Sequence, residues 1–182
     1  MKTRALGQTG VEVSELCLGA MMFGAIGNRD HDDCLAIIDR ALDVGINGKY
    51  RKDSEIPADS RVARMRNRPS FSLESDANQR KFVLVEELLK LASDAGVTLI
   101  DLALAFVLQH PAVTAAIIGP RTMAQLEDQL GAPDVTLDDD VLDRIDQLVE
   151  PATDIDPRYA SFQPLAVSDR SHRRRGRNIG NP

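Results

Sequence analysis

Tryptophan is absent from this 182-residue sequence, and aromatic residues make up only 4% of it. With 43% hydrophobic and 27% charged residues, the chain still has the makings of one globular domain with a core. Cysteine is nearly absent too. Cys17 and Cys34 are too few for a disulfide framework and lack the spacing of a zinc site. Both sit among apolar neighbours, which predicts buried thiols in a reducing cytoplasm. No apolar run approaches the roughly 18 residues that a membrane span needs, so no membrane association is expected. Residues 1–7 carry no apolar signal-peptide core, which again favours a cytoplasmic protein.

Basic residues are scarce in the body of the chain. The last 13 residues hold five arginines and no acid, whereas residues 1–169 carry all 28 acids and only 17 of the 22 basic side chains. An acidic body of this kind offers no nucleic-acid footprint. Only the tail, with Arg173, Arg174, Arg175 and Arg177, could touch an anionic surface, and it has no aromatic residue for base stacking. A solvated, disordered end is the better reading.

What is present reads as mixed α/β. Residues 3–6 and 11–13 flank Gly7-Gln8-Thr9-Gly10, a hairpin turn. Residues 15–18 predict a buried strand ending at Gly19. From Asp32 to Val44 the apolar spacing is helical, with Gly45 as its stop. Residues 48–79 are polar and aperiodic and predict a long loop. Asp76 and Gln79 open a helix to about Asp94, with Phe82, Val85, Leu88, Leu89 and Ala92 on one face. Thr98-x-x-Asp101 starts a second helix, residues 99–109, apolar on most sides and expected to be buried; Pro111 stops it. Residues 112–118 predict another strand. Thr122, with Gln125 three residues on, has capping-box spacing and starts a helix to about Leu130. Thr136 and Asp139 open the last helix, with Val141, Leu142, Ile145 and Leu148 inward and Pro151 closing it. A polar tail, disordered past about Pro164, follows. Two core strands make a thin parallel pair that needs cover on both faces.

Residues 4–14, Arg-Ala-Leu-Gly-Gln-Thr-Gly-Val-Glu-Val-Ser, then Leu18-Gly19-Ala20-Met21-Met22-Phe23-Gly24, resemble the opening of an aldo-keto reductase. So does the stretch from Ile37 to Asn47. Ala116-Ile117-Ile118-Gly119-Pro120-Arg121-Thr122 through Leu126 resembles that family's eighth strand and the helix that grips the adenosine phosphate of NADPH. The resemblance covers residues 2–47 and 48–150 and implies a (β/α)8 TIM barrel, a fold of about 250 residues. At Asn47–Gly48 the sequence jumps from the approach to the second strand to the loop after the seventh. The resemblance therefore implies a fragment. It would keep the first and eighth strands, the first, seventh and eighth helices and the C-terminal helix, within a domain of residues 1–150 (1–47 and 48–150) followed by the tail, 151–182.

The family reduces carbonyls to alcohols by hydride transfer from NADP(H), with a Tyr acid, its Lys and Asp partners and a His. By resemblance all four fall in the missing segment, which implies an inactive chain. The alternative is a non-catalytic remnant that binds NADP(H) or a partner. Tyr50 beside Lys49 matches a different motif and reads as a loop residue, and His31, His110 and His172 read as structural or solvated. The resemblance assigns the cofactor to Gly119, Pro120, Arg121 and Thr122, with Arg121 pairing the 2′-phosphate. A turn and a helix N-terminus there should also offer backbone N–H groups. Gln125 and Gln129 match positions that meet the adenosine, Gln129 replacing the usual Asn. Gly19, Ala20 and Met21 match the end of the first strand beside the nicotinamide, with Ala20 where Thr is common. Gly48 and Lys49 match the end of the loop over the pyrophosphate. A small carbonyl would be the substrate only of an active chain. A two-strand remnant would expose Leu16, Leu18, Ile117 or their neighbours, depending on register, and so invite self-association.

Overall fold

A computed structural model describes residues 1–23, 27–43, 75–155, 165–169 and 172. Residues 48–74 of the loop predicted over 48–79, and the stop at Gly45, lie outside the described residues; residues 76–79 of that stretch are instead the first turn of a helix. The chain starts with a hairpin. Strand β1 (Thr3–Ala5) pairs antiparallel with β2 (Glu12–Ser14), Thr3 opposite Ser14. Its turn has Gly7 and Gly10 at positive φ, 57° and 75°, where a side chain would be strained.

Strand β3 (Leu16–Leu18) then runs parallel to β4 (Ala116–Ile118), pairing Leu16 with Ala116, Cys17 with Ile117 and Leu18 with Ile118. Because side chains alternate along a strand, the pair has two unlike faces. Leu16, Ala116 and Ile118 pack with Leu108 and Leu126, and Leu18, Ala41, Leu104 and Met123 close around them. Helix α1 (His31–Asp43), α3 (Leu99–Leu108) and α4 (Met123–Glu127) supply that cover. On the other face Cys17 is exposed and Ile117 is 78% exposed. Cys34 is buried as expected, but Cys17 is not, since the alternation that buries Leu16 turns its neighbour outward. For the same reason Leu16, at 4%, is covered, and Ile117 carries the exposure.

Strand β4 is shorter than the predicted 112–118. Residues 110–113 form a turn in which Val113 N–H bonds to His110 C=O. The Val113 carbonyl accepts from Arg4 instead of a strand partner. The three-residue partner β3 sets the remaining length.

A second apolar cluster joins α2 (Asp76–Asp94), α3 and α5 (Asp139–Leu148) through Leu91, Ala92, Leu102, Ala105, Leu137 and Leu142. Helix α2 is capped one residue earlier than the sequence suggests: the Ser75 hydroxyl accepts from Asn78 N–H at 3.3 Å. Leu91 and Ala92 are its buried residues, while Phe82, Val85, Leu88 and Leu89 are half-buried. At α3 the Thr98–Asp101 capping box forms in both directions, 3.1 and 3.3 Å. That helix is less enclosed than its composition predicts. Ile100, Leu102, Ala105 and Leu108 face inward, but Phe106 and Val107 are each 40% exposed. Helix α5 starts after Asp138 rather than at Thr136. Gln109 clamps the Leu137 backbone at both ends, Oε1 accepting its N–H at 2.6 Å and Nε2 donating to its C=O at 3.0 Å. The chain is thereby held extended until Leu137 is buried. Leu148, expected inward, is exposed.

Residues 165–168, predicted to be disordered, form a helical turn, α6 (Leu165–Ser168), and His110 Nε2 lies 2.6 Å from the Ala166 carbonyl. Among the described residues no single helix is long and apolar enough to cross a membrane.

Candidate functional site

Both strands of the parallel pair end on the same side, so the segments that follow them meet. Gly19 N–H bonds to Ile118 C=O at 2.7 Å. Its backbone lies so close to β4 that an added Cβ would stand 3.1 Å from both Ile117 Cγ2 and Ile118 O. Ala20–Met22 form a 3-10 turn over this end, with Met21 exposed and Met22 Cγ 3.4 Å from where a Gly119 Cβ would lie. The structure thus brings Gly19 against the end of β4 and Met22 against Gly119. Gly48 and Lys49 lie outside the described residues.

After β4, Pro120 is fully buried, and Thr122 takes the N-cap of α4, its hydroxyl accepting from Gln125 N–H at 3.2 Å. The Gln125 side chain turns back, and its Oε1 accepts the Arg121 N–H at 3.0 Å. From the opposite side Asn28 Nδ2 donates to the Arg121 carbonyl at 2.9 Å. Both backbone groups of Arg121 are therefore committed within the protein. Of the backbone donors expected at this turn, the Arg121 N–H is thus taken by a side chain of the protein itself. The five-residue α4, shorter than the predicted run to Leu130, also carries little dipole. At the turn Arg121 is half-buried, and Thr122 and Gly119 are exposed. These groups fit a phosphate held at its edge by a guanidinium.

Gln129 is placed differently from Gln125. It is 3% exposed, and its buried Oε1 has no partner among the described residues. It lies just after the end of α4, buried where Gly119 and Thr122 are exposed. Helix α4 is tied to α1 by a two-point ion pair, Arg40 Nε to Glu127 Oε1 at 2.5 Å and Nη2 to Oε2 at 2.9 Å. The hydrogen bonds from Arg40 hold the Glu127 carboxyl below the usual range.

Asn28 is the residue that the sequence reading missed. Its Oδ1 accepts Asp30 N–H at 2.9 Å, and the Asp30 carboxylate in turn caps α1 by accepting Asp33 N–H at 3.0 Å. The Asp30-x-x-Asp33 spacing ahead of an apolar run was a visible cap signal. The reach of Asn28 across 93 residues was not. Gly27 lets the chain make this approach, for a Cβ there would fall 1.9 Å from Met22 O. No group of three or more His, Cys, Asp or Glu side chains suited to a metal ion occurs among the described residues.

Residues 47–150 match the model of the aldo/keto reductase family, more than half of the chain. The chain belongs to that family. It is 33% identical over 114 residues to a probable voltage-gated potassium channel subunit beta of Arabidopsis thaliana, covering 58% of this chain and 32% of that protein. It is 37% identical over 68 residues to the uncharacterized oxidoreductase YrpG of Bacillus subtilis (strain 168), covering 37% of this chain and 21% of that protein. A probable voltage-gated potassium channel subunit beta of Oryza sativa subsp. japonica is 35% identical over 114 residues, 58% of this chain and 32% of that protein. The chain thus spans about a third or less of the length of these relatives.

Proposed function

We propose that this chain derives from an NADP(H)-dependent carbonyl reductase and keeps the grip on the cofactor's phosphorylated ribose without the residues that protonate the product. The carrying observation is the register of the parallel pair. Leu16–Leu18 lie beside Ala116–Ile118, a hundred residues on, as the first and eighth strands of a closed barrel would. Helices α1, α3 and α4 cover the outward face of that pair, which supports reading them as the first, seventh and eighth helices, with α5 as the C-terminal helix. The missing staves would fall between Asn47 and Gly48, and the family match starts at residue 47. On this reading residues 1–150 form the truncated domain and 151–182 its tail.

The bound cofactor would supply a hydride. This chain's own residues would hold one end of it. Arg121 meets the 2′-phosphate, Thr122 and the Gly119 backbone line the turn, and Gly19, Ala20 and Met21 form the adjacent rim. Pro120 and Gln125 hold the turn in shape. Gln129 supports α4 from within. Gly48 and Lys49 belong to the pyrophosphate loop by resemblance. Reduction of a small carbonyl would also require the Tyr, Lys, Asp and His that the resemblance puts in the missing segment. The chain is therefore a cofactor-binding remnant in a cytoplasmic setting, and turnover is not expected.

Titration of NADPH and NADH, followed by nucleotide fluorescence, tests the grip. NADPH should bind more tightly, and Arg121→Ala should remove the difference; equal affinities would refute the phosphate site. Consumption of NADPH with a generic aldehyde tests the loss of chemistry. Turnover like that of ordinary reductases would overturn it.

The open face of β3 and β4 supports self-association. Cys17 and Ile117 lie side by side there without cover, and apolar strand surface of this kind is shielded most simply by a second copy.

A further inference from the structure

We propose that Asn28 is a positioning residue for Arg121, and that it sets the preference for a 2′-phosphorylated cofactor without touching the cofactor. The inference rests on the reading of Arg121 as the phosphate ligand. Its observations are separate from that reading.

Arg121 belongs to a turn between a three-residue strand and a five-residue helix. Elements so short cannot by themselves fix a peptide plane, and a guanidinium on a long stem magnifies any tilt of its backbone. The Arg121 peptide groups are instead pinned from two sides. Gln125 Oε1 takes the N–H at 3.0 Å, and Asn28 Nδ2 gives to the C=O at 2.9 Å. The first bond is local and would survive a rigid swing of the turn with α4. The second ties the turn directly to the segment ahead of α1, beside the Arg40–Glu127 pair that holds α4 to α1.

Asn28 is itself held. Its N–H bonds to Met22 O at 2.8 Å, its Oδ1 accepts Asp30 N–H, its Nδ2 lies 3.3 Å from Asp33 Oδ2, and its carbonyl faces the Cys34 thiol at 3.5 Å. The cap of α1 and the turn over β3 thus act on Arg121 through one carboxamide. The carboxamide does both tasks, donating to a carbonyl with Nδ2 while accepting an N–H with Oδ1. A carboxylate keeps the acceptor and loses the donor.

The test compares wild type, Asn28→Ala and Asn28→Asp. Asn28→Asp preserves the acceptor for Asp30 and so protects the α1 cap if the alanine variant folds poorly. Each is titrated with NADPH and with NADH, and amide hydrogen exchange is followed in the ligand-free protein. Both variants should lose about fivefold in NADPH affinity, the worth of one hydrogen bond, with NADH affinity little changed. Exchange should quicken in residues 119–126 and stay constant in α2 and α3. A role confined to stability would lower both affinities together, and that result would overturn the proposal. So would an unchanged NADPH preference in both variants, or unchanged exchange in 119–126. If wild type itself binds NADPH and NADH equally, the phosphate reading fails and this inference with it. If wild type discriminates and the variants still do, only this inference fails.

Discussion

Arg4, in the first strand, forms an ion pair with Glu15 at the start of β3, where the two side chains are only 19% and 6% exposed. The same guanidinium donates through Nη1 to the carbonyls of Leu108 and Val113, at 2.8 and 2.9 Å. One cation therefore joins the N-terminal hairpin to the C-terminal end of α3 and to the approach to β4. Glu15 Oε2 is buried with no partner among the described residues, so Arg4 is its chief compensation.

Arg4→Ala should destabilise the chain by about 3–5 kcal/mol, because it strands a buried carboxylate and two carbonyls. Replacing both members, Arg4→Met with Glu15→Leu, should cost far less than the single change. Urea denaturation of the three proteins checks this. A single variant as stable as wild type would remove the hub role.

Leu126 has no solvent exposure, whereas Phe106 is 40% exposed on α3. Leu126→Ala should cost about 2–5 kcal/mol through lost transfer energy and a cavity beneath the parallel pair. Phe106→Ala should cost less despite removing more atoms. Calorimetric melting ranks the two, and the reverse order would contradict the packing described for α4.

The ion pair Arg40–Glu127 predicts a pH dependence of defined sign. Its hydrogen bonds lower the Glu127 pKa in the folded chain. The contribution is thus fully present above the unfolded carboxyl's pKa and is lost as pH falls through the lowered folded value. Lys90 behaves oppositely, since Glu87 raises its pKa; that share is full below the unfolded lysine value and disappears as pH rises through the folded one. Both pairs are solvent-exposed, so their effects should be small and reduced by salt. Arg40→Leu should flatten only the acidic limb of the stability profile.

The open strand face predicts unequal thiols. Cys17 should react with a soluble disulfide reagent in the folded protein, and Cys34 should react on the timescale of opening. Ile117→Lys should change stability by about 0.5 kcal/mol or less, as an exposed site does, while lowering any self-association seen by sedimentation. A marked loss of stability would mean that this face is covered.

Much of the local structure was legible in the chain. Gly7 and Gly10 marked the hairpin, Thr98-x-x-Asp101 marked the start of α3, and Thr122-x-x-Gln125 marked the cap of α4. Each is decided by groups within three or four residues of one another. The approximate extents of α1 and α2 followed from apolar spacing for the same reason. Predictions that required a partner element fared worse. Strand β4 lost residues 112–115 to the turn and the Arg4 contact, and α5 started late because Gln109 holds Leu137.

Of the candidate site, the sequence marked the turn at 119–122 and the cap hydroxyl of Thr122. It could not show that Gln125 would take the Arg121 N–H, that Gln129 would be buried, or that Asn28 would reach Arg121.

By itself the sequence determined where helices and turns begin, the family to which the chain belongs, and the acidic balance of its body, since all three are written in short-range spacing and composition. Tertiary structure decided which side of β3 faces solvent, and so why Cys17 is open and Leu16 closed. It also decided which polar groups meet across 90 residues or more, Asn28 with Arg121 and Arg4 with Leu108. The reason is physical. A strand's alternation fixes that its two faces differ, but only the packing of α1, α3 and α4 selects the face to be buried.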